Sequence, residues 1–160
     1  MTIKLTPTIK LFVTDVDGTL TDGSMYYTVS GEYMKRFNTK DGMGLGMLKD
    51  TGIEVAMVTS ESSDIALRRA EKLNIDHVYV GVRNKLRQVN LLCSEIGVTL
   101  AETAYVGDDL NDLEVMKCVG LSFSVRDANA AVVKLANVHL KTRGGDGAVR
   151  EAVEWILKRQ

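Results

Sequence analysis

The sequence lacks several features that mark larger functional classes. None of its 160 residues belong to an apolar run near the ~20 residues of a membrane-spanning helix. The first residues do not show the apolar stretch of a secretory signal. A formal net charge of −1 leaves no overall basic field to hold a nucleic acid backbone. We therefore expect a cytoplasmic protein that binds neither membranes nor nucleic acids.

Proline and cysteine are also scarce. One proline stands against 14 glycines, so glycine must supply most of the backbone freedom that turns require. Cys93 and Cys118 lack the spacing of a metal site and lie in apolar helical patterns, which predicts structural thiols. Hydrophobic residues make up 45% of the chain and charged residues 26%, as in folded proteins. The length suits a single domain over residues 1–160.

Short apolar runs alternate with helical patterns along most of the chain. A buried strand is predicted at 9–15, and aromatic alternation on both sides of Ser30-Gly31 indicates a β-hairpin. Further strands are predicted at 53–58, 77–80, 103–106, 121–125 and 138–140, and helices at 62–73, 84–96, 111–119, 128–135 and 148–158. This alternation indicates a parallel sheet covered on both faces. We predict a three-layer, Rossmann-like α/β fold with a β-hairpin flap.

One further helical pattern, at residues 41–49, carries three glycines. Each of Gly42, Gly44 and Gly46 costs a helix ~1 kcal/mol relative to alanine. We expect this helix either to pack tightly against a neighbour or to be poorly formed.

Polar residues collect where predicted strands end. The segments concerned are Asp15-Val16-Asp17-Gly18-Thr19, Thr59-Ser60-Glu61 and Gly107-Asp108-Asp109-Leu110-Asn111-Asp112. Lys85 opens the helix that follows the strand at 77–80. Ligands of open α/β sheets bind beyond the carboxyl ends of the strands, so we expect these segments to meet at one edge.

Three carboxylates at that edge, those of Asp15, Asp17 and Asp108, would repel one another at neutral pH. A hard divalent cation offsets such repulsion, and oxygen ligands without His or Cys favour Mg²⁺ over Zn²⁺. Lys85 and the Thr59 hydroxyl suit phosphate oxygens. Each piece alone has an ordinary explanation as a turn, a helix cap or a surface lysine. Their common edge favours a magnesium-dependent phosphate site.

Together these segments resemble the four motifs of the haloacid dehalogenase-like phosphatases, and the resemblance covers nearly the whole chain. It implies that Asp15 attacks phosphorus and forms an aspartyl-phosphate. It implies that Asp17 protonates the leaving oxygen and then deprotonates the hydrolytic water. Mg²⁺ would be held by the carboxylates of Asp15 and Asp108 and by the carbonyl of Asp17.

The same resemblance assigns the remaining motif residues. Thr59, Ser60 and Lys85 would hold the phosphoryl oxygens and neutralise charge that develops in the transition state. Asp112 would orient Lys85 or a water on the metal. For Asp109 we expect a helix cap.

The motif spacing leaves no room for a cap domain. Neither the stretch from Asp15 to Thr59, which includes the hairpin, nor that from Thr59 to Lys85 can hold the ~50 residues of a separate domain. Phosphoryl transfer works best shielded from bulk water, so we expect another subunit to cover the site. The hairpin at 25–37, rich in Tyr and Met, suits an interface. The alternative is an edge hairpin packed on its own domain.

This pattern resembles the capless, tetrameric branch of the family that hydrolyses phosphates of 2-keto-3-deoxy sugar acids. That branch includes octulosonate 8-phosphate phosphatases, nonulosonate (sialic acid type) 9-phosphate phosphatases and domains fused to cytidylyltransferases. Residues 141–151 resemble its Gly-Gly-x-Gly signature, whose tail reaches a neighbour's active site, and Arg143 or Arg150 is a candidate to meet an anion. The alternative is a flexible turn before a helix capped by Asp146.

Substrate choice is predicted from the segment after Thr59. The octulosonate enzymes resembled here tend to carry Arg in this segment, whereas this chain has Glu61, which would repel a substrate carboxylate. Glu61 with Lys72 looks more like the nine-carbon enzymes. Arg69, contributed across an interface, is the candidate for binding the substrate carboxylate, although a solvated basic helix face is the alternative. We favour nonulosonate 9-phosphate over 3-deoxy-manno-octulosonate 8-phosphate.

Two other functions stay open from the sequence. A silent oligomerisation domain, related to those of acylneuraminate cytidylyltransferases, would not need intact Asp15, Asp17 and Lys85. A nucleotide phosphatase or a phosphomutase shares the chemistry, but a mutase normally needs a cap to retain its intermediate. We therefore predict a Mg²⁺-dependent enzyme that acts on a phosphorylated sugar acid as a homotetramer.

Overall fold

The structure, a computed structural model, describes residues 7–160. Its strands are β1 (Leu11–Thr14), β2 (Tyr26–Thr28), β3 (Gly31–Met34), β4 (Glu54–Val58), β5 (His77–Tyr79), β6 (Thr103–Gly107), β7 (Leu121–Ser124) and β8 (Val138–His139). Its helices are α1 (Thr39–Asp50), α2 (Asp64–Lys72), α3 (Lys85–Ile96), α4 (Leu113–Cys118), α5 (Ala130–Leu135) and α6 (Ala148–Leu157). Single 3₁₀ turns at Leu100–Glu102 and Leu110–Asp112 precede β6 and α4.

Six of the strands form one parallel sheet in the order β5-β4-β1-β6-β7-β8. β1 lies between β4 and β6, and its Val13 is paired with Ala56 on one side and Tyr105 on the other. The connections run outward in opposite directions from this point, which is where open α/β sheets bind ligands. β2 and β3 form a separate antiparallel hairpin. The predicted parallel α/β fold with a hairpin flap is confirmed.

Successive side chains of β1 point to opposite faces of the sheet and therefore pack in two different hydrophobic cores. Phe12 belongs to the core that α1, α2 and α6 cover, whereas Leu11 and Val13 belong to the core that α3, α4 and α5 cover. All four residues of β1 are fully buried, as expected for the centre of a sheet with helices on both faces. The loop that follows β1 therefore starts from a rigid strand.

The glycine-rich helix α1 is well formed and packs tightly against its neighbours, the first of the two outcomes expected for it. A Cβ on Gly44 would lie 3.2 Å from the Cα of Arg150 in α6. A Cβ on Gly42 would lie 2.9 Å from the side chains of Arg69 and Leu73. Two of the three glycines thus let neighbouring elements approach the helix backbone.

The two cysteines have different surroundings, and both are free thiols. Cys93 is buried in the core under α3, as predicted. Cys118 is exposed because the last turn of α4 directs it away from the core, contrary to the apolar pattern around it. Within residues 7–160, none of the helices has the length and apolar character needed to cross a membrane.

Candidate active site

Four motif residues meet where the strands end. Asp15 directly follows β1, Thr59 follows β4, Asp108 follows β6, and Lys85 is the first residue of α3. They border or underlie a cavity of about 380 Å³. Its lining consists of Asp15, Asp17, Met25, Thr59, Ser60, Glu61, Asp108, Asp109, Leu110 and Asn111.

Lys85 forms the floor of the site. Its ammonium donates to Asp15 Oδ1 at 2.6 Å and to Asp112 Oδ1 at 2.7 Å, and the residue is only 3% exposed. Burial opposes the charge of Lys85, but Asp15 and Asp112 outweigh it and raise the pKa of the ammonium. The lysine is therefore a fixed positive charge beside Asp15.

Asp112 is fully buried and uses both oxygens to hold its neighbours. Besides Lys85, Oδ1 accepts from the Tyr105 hydroxyl at 2.6 Å. Oδ2 accepts from the backbone amides of Asp108 at 2.9 Å and Asp109 at 3.2 Å. The structure thus places Asp112 against Lys85, as the resemblance implied. Tyr105 was missed because its position in a buried strand gave no sign that its hydroxyl reaches the site.

Three carboxylates crowd this site. Asp15, Asp108 and Asp112 each bring one oxygen within 4.8 Å of the others. Burial, and the charge of Asp112, raise the pKa of Asp15 to about 6. Burial, and the charges of Asp15 and Asp112, raise the pKa of Asp108 to about 9. An all-oxygen donor set under mutual repulsion fits a hard divalent cation such as Mg²⁺.

Asp17 is held from two sides. Its Oδ2 accepts from the Thr59 hydroxyl at 3.2 Å, and its Oδ1 accepts from the ammonium of Lys35 in the segment that leaves β3. Lys35 also pairs with Glu32 Oε1 at 2.9 Å. Burial opposes the charge of Lys35, but Asp17 and Glu32 raise the pKa of its ammonium. Lys35 and Glu32 were missed because charged residues in a hairpin ordinarily face solvent.

The segment after β4 forms one wall of the cavity. Ser60 Oγ accepts from the Asn111 side-chain amide at 3.0 Å, which links this segment to the loop after β6. The backbone amide of Glu61 donates to the Thr59 hydroxyl at 3.2 Å. The exposed Glu61 lines the cavity at the position predicted for substrate contact.

Asp109 lies at the cap position expected for it, where its carboxylate accepts from the amide of Leu110 at 2.8 Å. The cavity lining, within the described part of the chain, does not include Arg69, Lys72 or Arg143. Arg143 pairs with Asp127 at 3.3 Å, and Lys72 is exposed in the last turn of α2.

Arg69 is half-buried within its own chain. Its guanidinium lies 5.4 Å from the ring centre of Phe37 and donates to the carbonyl of Asn38 at 3.2 Å. A role for Arg69, Lys72 or Arg143 in a neighbouring subunit's site stays a prediction.

The glycine-rich segment before α6 packs on the loop that follows Asp15. The amide of Gly145 donates to the carbonyl of Thr19 at 3.1 Å. A Cβ on Gly144 would lie 1.8 Å from the carbonyl oxygen of Gly18. In this chain the segment therefore supports the loop that follows Asp15.

The alternative in which Asp146 caps α6 is wrong. Gly147 occupies the cap position with φ +108°, and the Asp146 carboxylate instead pairs with Arg36 at 2.9 Å. A backbone amide in the first turn of α6 is instead hydrogen-bonded by a residue of α1, because Asp41 Oδ1 accepts from the amide of Arg150 at 2.8 Å. The cap is a tertiary contact that local sequence cannot reveal.

The hairpin carries an apolar outer surface. Its large hydrophobic side chains are exposed in the described chain: Met25, Tyr26, Tyr27, Val29, Tyr33 and Met34. Its buried Lys35 contacts Asp17, so the hairpin also has an inner side that belongs to the site. The hairpin thus packs on its own chain through Lys35, and an interface at its outer surface stays a prediction.

Comparison with known proteins gives a consistent result. A family model described as haloacid dehalogenase-like hydrolase matches residues 82–151. The 3-deoxy-D-manno-octulosonate 8-phosphate phosphatase KdsC of Haemophilus influenzae is 41% identical over 152 residues, which is 95% of this chain and 84% of that protein. The KdsC protein of Escherichia coli K12 is 40% identical over 152 residues, 95% of this chain and 81% of its own.

Two solved structures superpose closely on the chain. The cobalt-bound octulosonate 8-phosphate phosphatase of Haemophilus influenzae has a TM-score of 0.93 at 41% identity, covering 96% of this chain and 90% of its own. The octulosonate 8-phosphate phosphatase of Moraxella catarrhalis, in complex with magnesium, phosphate and KDO, has a TM-score of 0.94 at 39% identity. It covers 98% of this chain and 90% of its own.

Proposed function

The chain belongs to the haloacid dehalogenase-like hydrolases and is a phosphatase of that family, and from this premise we propose its substrate class and mechanism. It hydrolyses the phosphate monoester of a 3-deoxy-2-keto sugar acid through an aspartyl-phosphate on Asp15. The observation that carries the mechanism is the fixed Asp15–Lys85 pair at the floor of the cavity, in which the lysine occupies only one carboxylate oxygen.

In the first half-reaction a carboxylate oxygen of Asp15 forms a bond to phosphorus while the bond from phosphorus to the sugar oxygen breaks. The carboxyl group of Asp17 gives its proton to that leaving oxygen, which departs as the sugar hydroxyl. Both carboxylates line the cavity.

In the second half-reaction Asp17 takes a proton from water as the water oxygen bonds to phosphorus. The bond from phosphorus to Asp15 breaks, which regenerates the carboxylate and releases inorganic phosphate. Asp17 ends protonated and ready for the next leaving group, so protons and electrons balance over one turnover.

The surrounding donors stabilise the transferred group. Lys85 supplies a fixed positive charge beside Asp15, and the side chains of Thr59 and Ser60 lie at the cavity wall within the same strand-end segment. Such preorganised donors favour the charge that develops on the equatorial oxygens. Asp112 holds Lys85 in this position through its 2.7 Å contact.

Mg²⁺ fits the carboxylates of Asp15 and Asp108. Asp112 is already engaged by Lys85, Tyr105 and two backbone amides, so Asp15 and Asp108, with the carbonyl of Asp17, are the groups that would hold the ion. When bound, the ion neutralises charge on the phosphate and on these carboxylates. Magnesium in the Moraxella catarrhalis structure and cobalt in the Haemophilus influenzae structure support this assignment.

The mechanism is tested by replacing the nucleophile. Asp15→Asn keeps the size of the side chain but removes the anionic nucleophile, so turnover should fall at least about a thousandfold. Circular dichroism and thermal unfolding should show a folded protein. Asp50→Asn, the same change at an exposed helix end, is the matched control. Activity of Asp15→Asn within tenfold of wild type would exclude the covalent mechanism.

Two sugar acids compete as the substrate. The octulosonate 8-phosphate named for the relatives is our first candidate, because relatives about 40% identical over most of the chain carry that name. The nine-carbon nonulosonate 9-phosphate is the second candidate, and the exposed Glu61 at the cavity wall favours it. The comparisons give no support for a nine-carbon preference, so that preference stays a prediction.

A phosphate-release assay with both esters distinguishes the candidates. We expect one ester to give the higher kcat/KM, and Glu61→Ala to change the ratio between the esters by about tenfold if this carboxylate contacts the sugar. Glu71→Ala, an exposed glutamate on α2, is the matched control. An unchanged ratio in Glu61→Ala would remove the case for a nine-carbon preference based on this residue.

We also infer that residues 1–160 act as one capless catalytic domain, in the cytoplasm and as a homotetramer. The exposed apolar surface of the hairpin, whose Met25 also lines the cavity, supports assembly. Light scattering of the purified protein should give a tetramer mass. A fully active monomer would overturn this inference.

A further inference from the structure

Lys35, at the end of the hairpin, contacts the carboxyl group of Asp17, the proposed acid–base residue. The proposed mechanism gives Lys35 no role. Its side chain is 0% exposed, although the neighbouring hairpin positions Tyr33 and Met34 are exposed. Lysine is almost never fully buried unless it is paired, and here the partners are Asp17 and Glu32. We propose that Lys35 is a positioning residue that fixes the carboxyl group of Asp17 for proton transfer to the leaving group. This inference rests on the proposed phosphatase mechanism.

Asp17 needs a fixed orientation to act on the leaving oxygen. It receives Thr59 on Oδ2 at 3.2 Å and Lys35 on Oδ1, and these donors come from different elements. Two donors on opposite oxygens restrict rotation of the carboxylate in a way that one donor does not. A misplacement of about 1 Å can reduce a rate by about a hundredfold, so such restriction matters for proton transfer.

Lys35 is itself anchored to the body of the protein. Its second partner, Glu32, also accepts from the Ser63 hydroxyl at 2.5 Å through Oε2. Ser63 in turn caps α2, where its hydroxyl accepts from the amide of Ala66 at 3.4 Å. A continuous series of contacts therefore runs from the start of α2 through the hairpin to Asp17. The flap is tied to the acid–base group by its buried side.

If Lys35 positions Asp17, the effect of losing Lys35 on the reaction rate should depend on the leaving group. Phosphoryl transfer from a primary-alcohol ester needs a proton on the departing oxygen, whereas the p-nitrophenolate anion departs without one. Loss of Asp17 positioning should therefore slow the first reaction and spare the second. General disruption of the site would slow both reactions alike.

The test uses Lys35→Met and two esters, p-nitrophenyl phosphate and the primary-alcohol phosphate on which wild type is most active. The parameter kcat/KM includes only steps through the first phosphoryl transfer, so later hydrolysis does not mask the effect. We expect a loss of about 30- to 100-fold for the alcohol ester and less than about threefold for the aryl ester. Lys35→Arg, which keeps the charge, should recover at least half of the loss on a logarithmic scale.

Lys117→Met, the same change at an exposed position of α4, should leave both values unchanged. If Lys35→Met does not fold, Glu32→Gln provides the same comparison, because it weakens the anchor of Lys35. We then expect about a fivefold loss for the alcohol ester alone.

Equal losses on both esters, or no loss on either, would overturn the role of Lys35. Failure of the proposed mechanism gives a different result, because Asp15→Asn would then keep phosphate release from both esters within tenfold of wild type. That result would overturn the role of Lys35 together with the mechanism.

Discussion

Gly18 lies directly against the carboxylate of Asp108, with no space for a side chain between them. A Cβ at position 18 would come within 2.0 Å of Asp108 Oδ2. Gly18 also has φ +86°, a left-handed conformation that favours glycine. The loop after β1 can therefore approach the end of β6 closely enough to bring the site carboxylates together.

Gly18→Ala should displace Asp108 and weaken Mg²⁺ binding at least about tenfold. Gly52→Ala is a matched control, because Gly52 has φ +82° and a Cβ there would meet nothing within 4 Å. Both variants should lose about 1 kcal/mol of unfolding free energy from backbone strain. Isothermal titration calorimetry should show normal Mg²⁺ affinity only for Gly52→Ala. Equal Mg²⁺ affinities in the two variants would contradict the steric argument.

Magnesium should stabilise the fold as well as support catalysis. EDTA should abolish phosphate release and added Mg²⁺ should restore it. A ligand that binds only the folded state adds about 2.7 kcal/mol at a hundred times its Kd, so the melting temperature should rise with Mg²⁺. Asp108→Asn should abolish most of this rise, because it removes one carboxylate of the cluster. Metal-independent hydrolysis would refute the assigned site.

Asp41 makes the stability of the protein depend on pH. Burial raises the pKa of Asp41 from 3.8 to about 6, so the folded state holds this proton more tightly than the unfolded chain. The stabilisation is complete below about pH 4 and is lost as the pH rises through about 6. Asp41→Asn keeps the oxygen that accepts from the amide of Arg150 but removes the titration.

Urea unfolding at saturating Mg²⁺ measures this effect. Between about pH 5 and pH 7.5, wild type should lose about 1.5 kcal/mol relative to Asp41→Asn. Asp50→Asn at the exposed end of α1 should follow wild type. Parallel pH profiles for wild type and Asp41→Asn would rule out the titration of Asp41.

Two glycines of α1 should respond in opposite ways to alanine. A Cβ on Gly46 would meet nothing within 4 Å, so Gly46→Ala should stabilise the protein by about 0.5–1 kcal/mol. A Cβ on Gly44 would lie 3.0 Å from Arg150 Cδ and 3.2 Å from its Cα, so Gly44→Ala should destabilise it. Chemical denaturation of both variants checks the signs.

The sheet and the centre of the site were predictable because chain order places motif residues at successive strand ends. Asp15, Thr59 and Asp108 follow neighbouring parallel strands, and the carboxyl ends of such strands share an edge. Lys85 was predictable for the same reason, since it opens a helix at that edge.

The parts that could not be predicted depend on contacts between distant segments. In the sequence, Lys35 and Glu32 look like exposed hairpin residues. In the structure, Lys35 pairs with both Asp17 and Glu32. The cap of α6 comes from Asp41 rather than the adjacent Asp146, because Arg36 pairs with Asp146. Periodicity and local capping rules describe one element at a time, so neither contact was visible to them.

The glycine pair at 144 and 145 has a practical consequence for anyone who engineers this chain. A connector of this composition would ordinarily be chosen to accept an inserted tag or an altered length. Here the Gly145 amide binds the Thr19 carbonyl, and Gly144 abuts the carbonyl oxygen of Gly18. An insertion at this connector would displace the loop that follows Asp15, so fusion partners belong elsewhere.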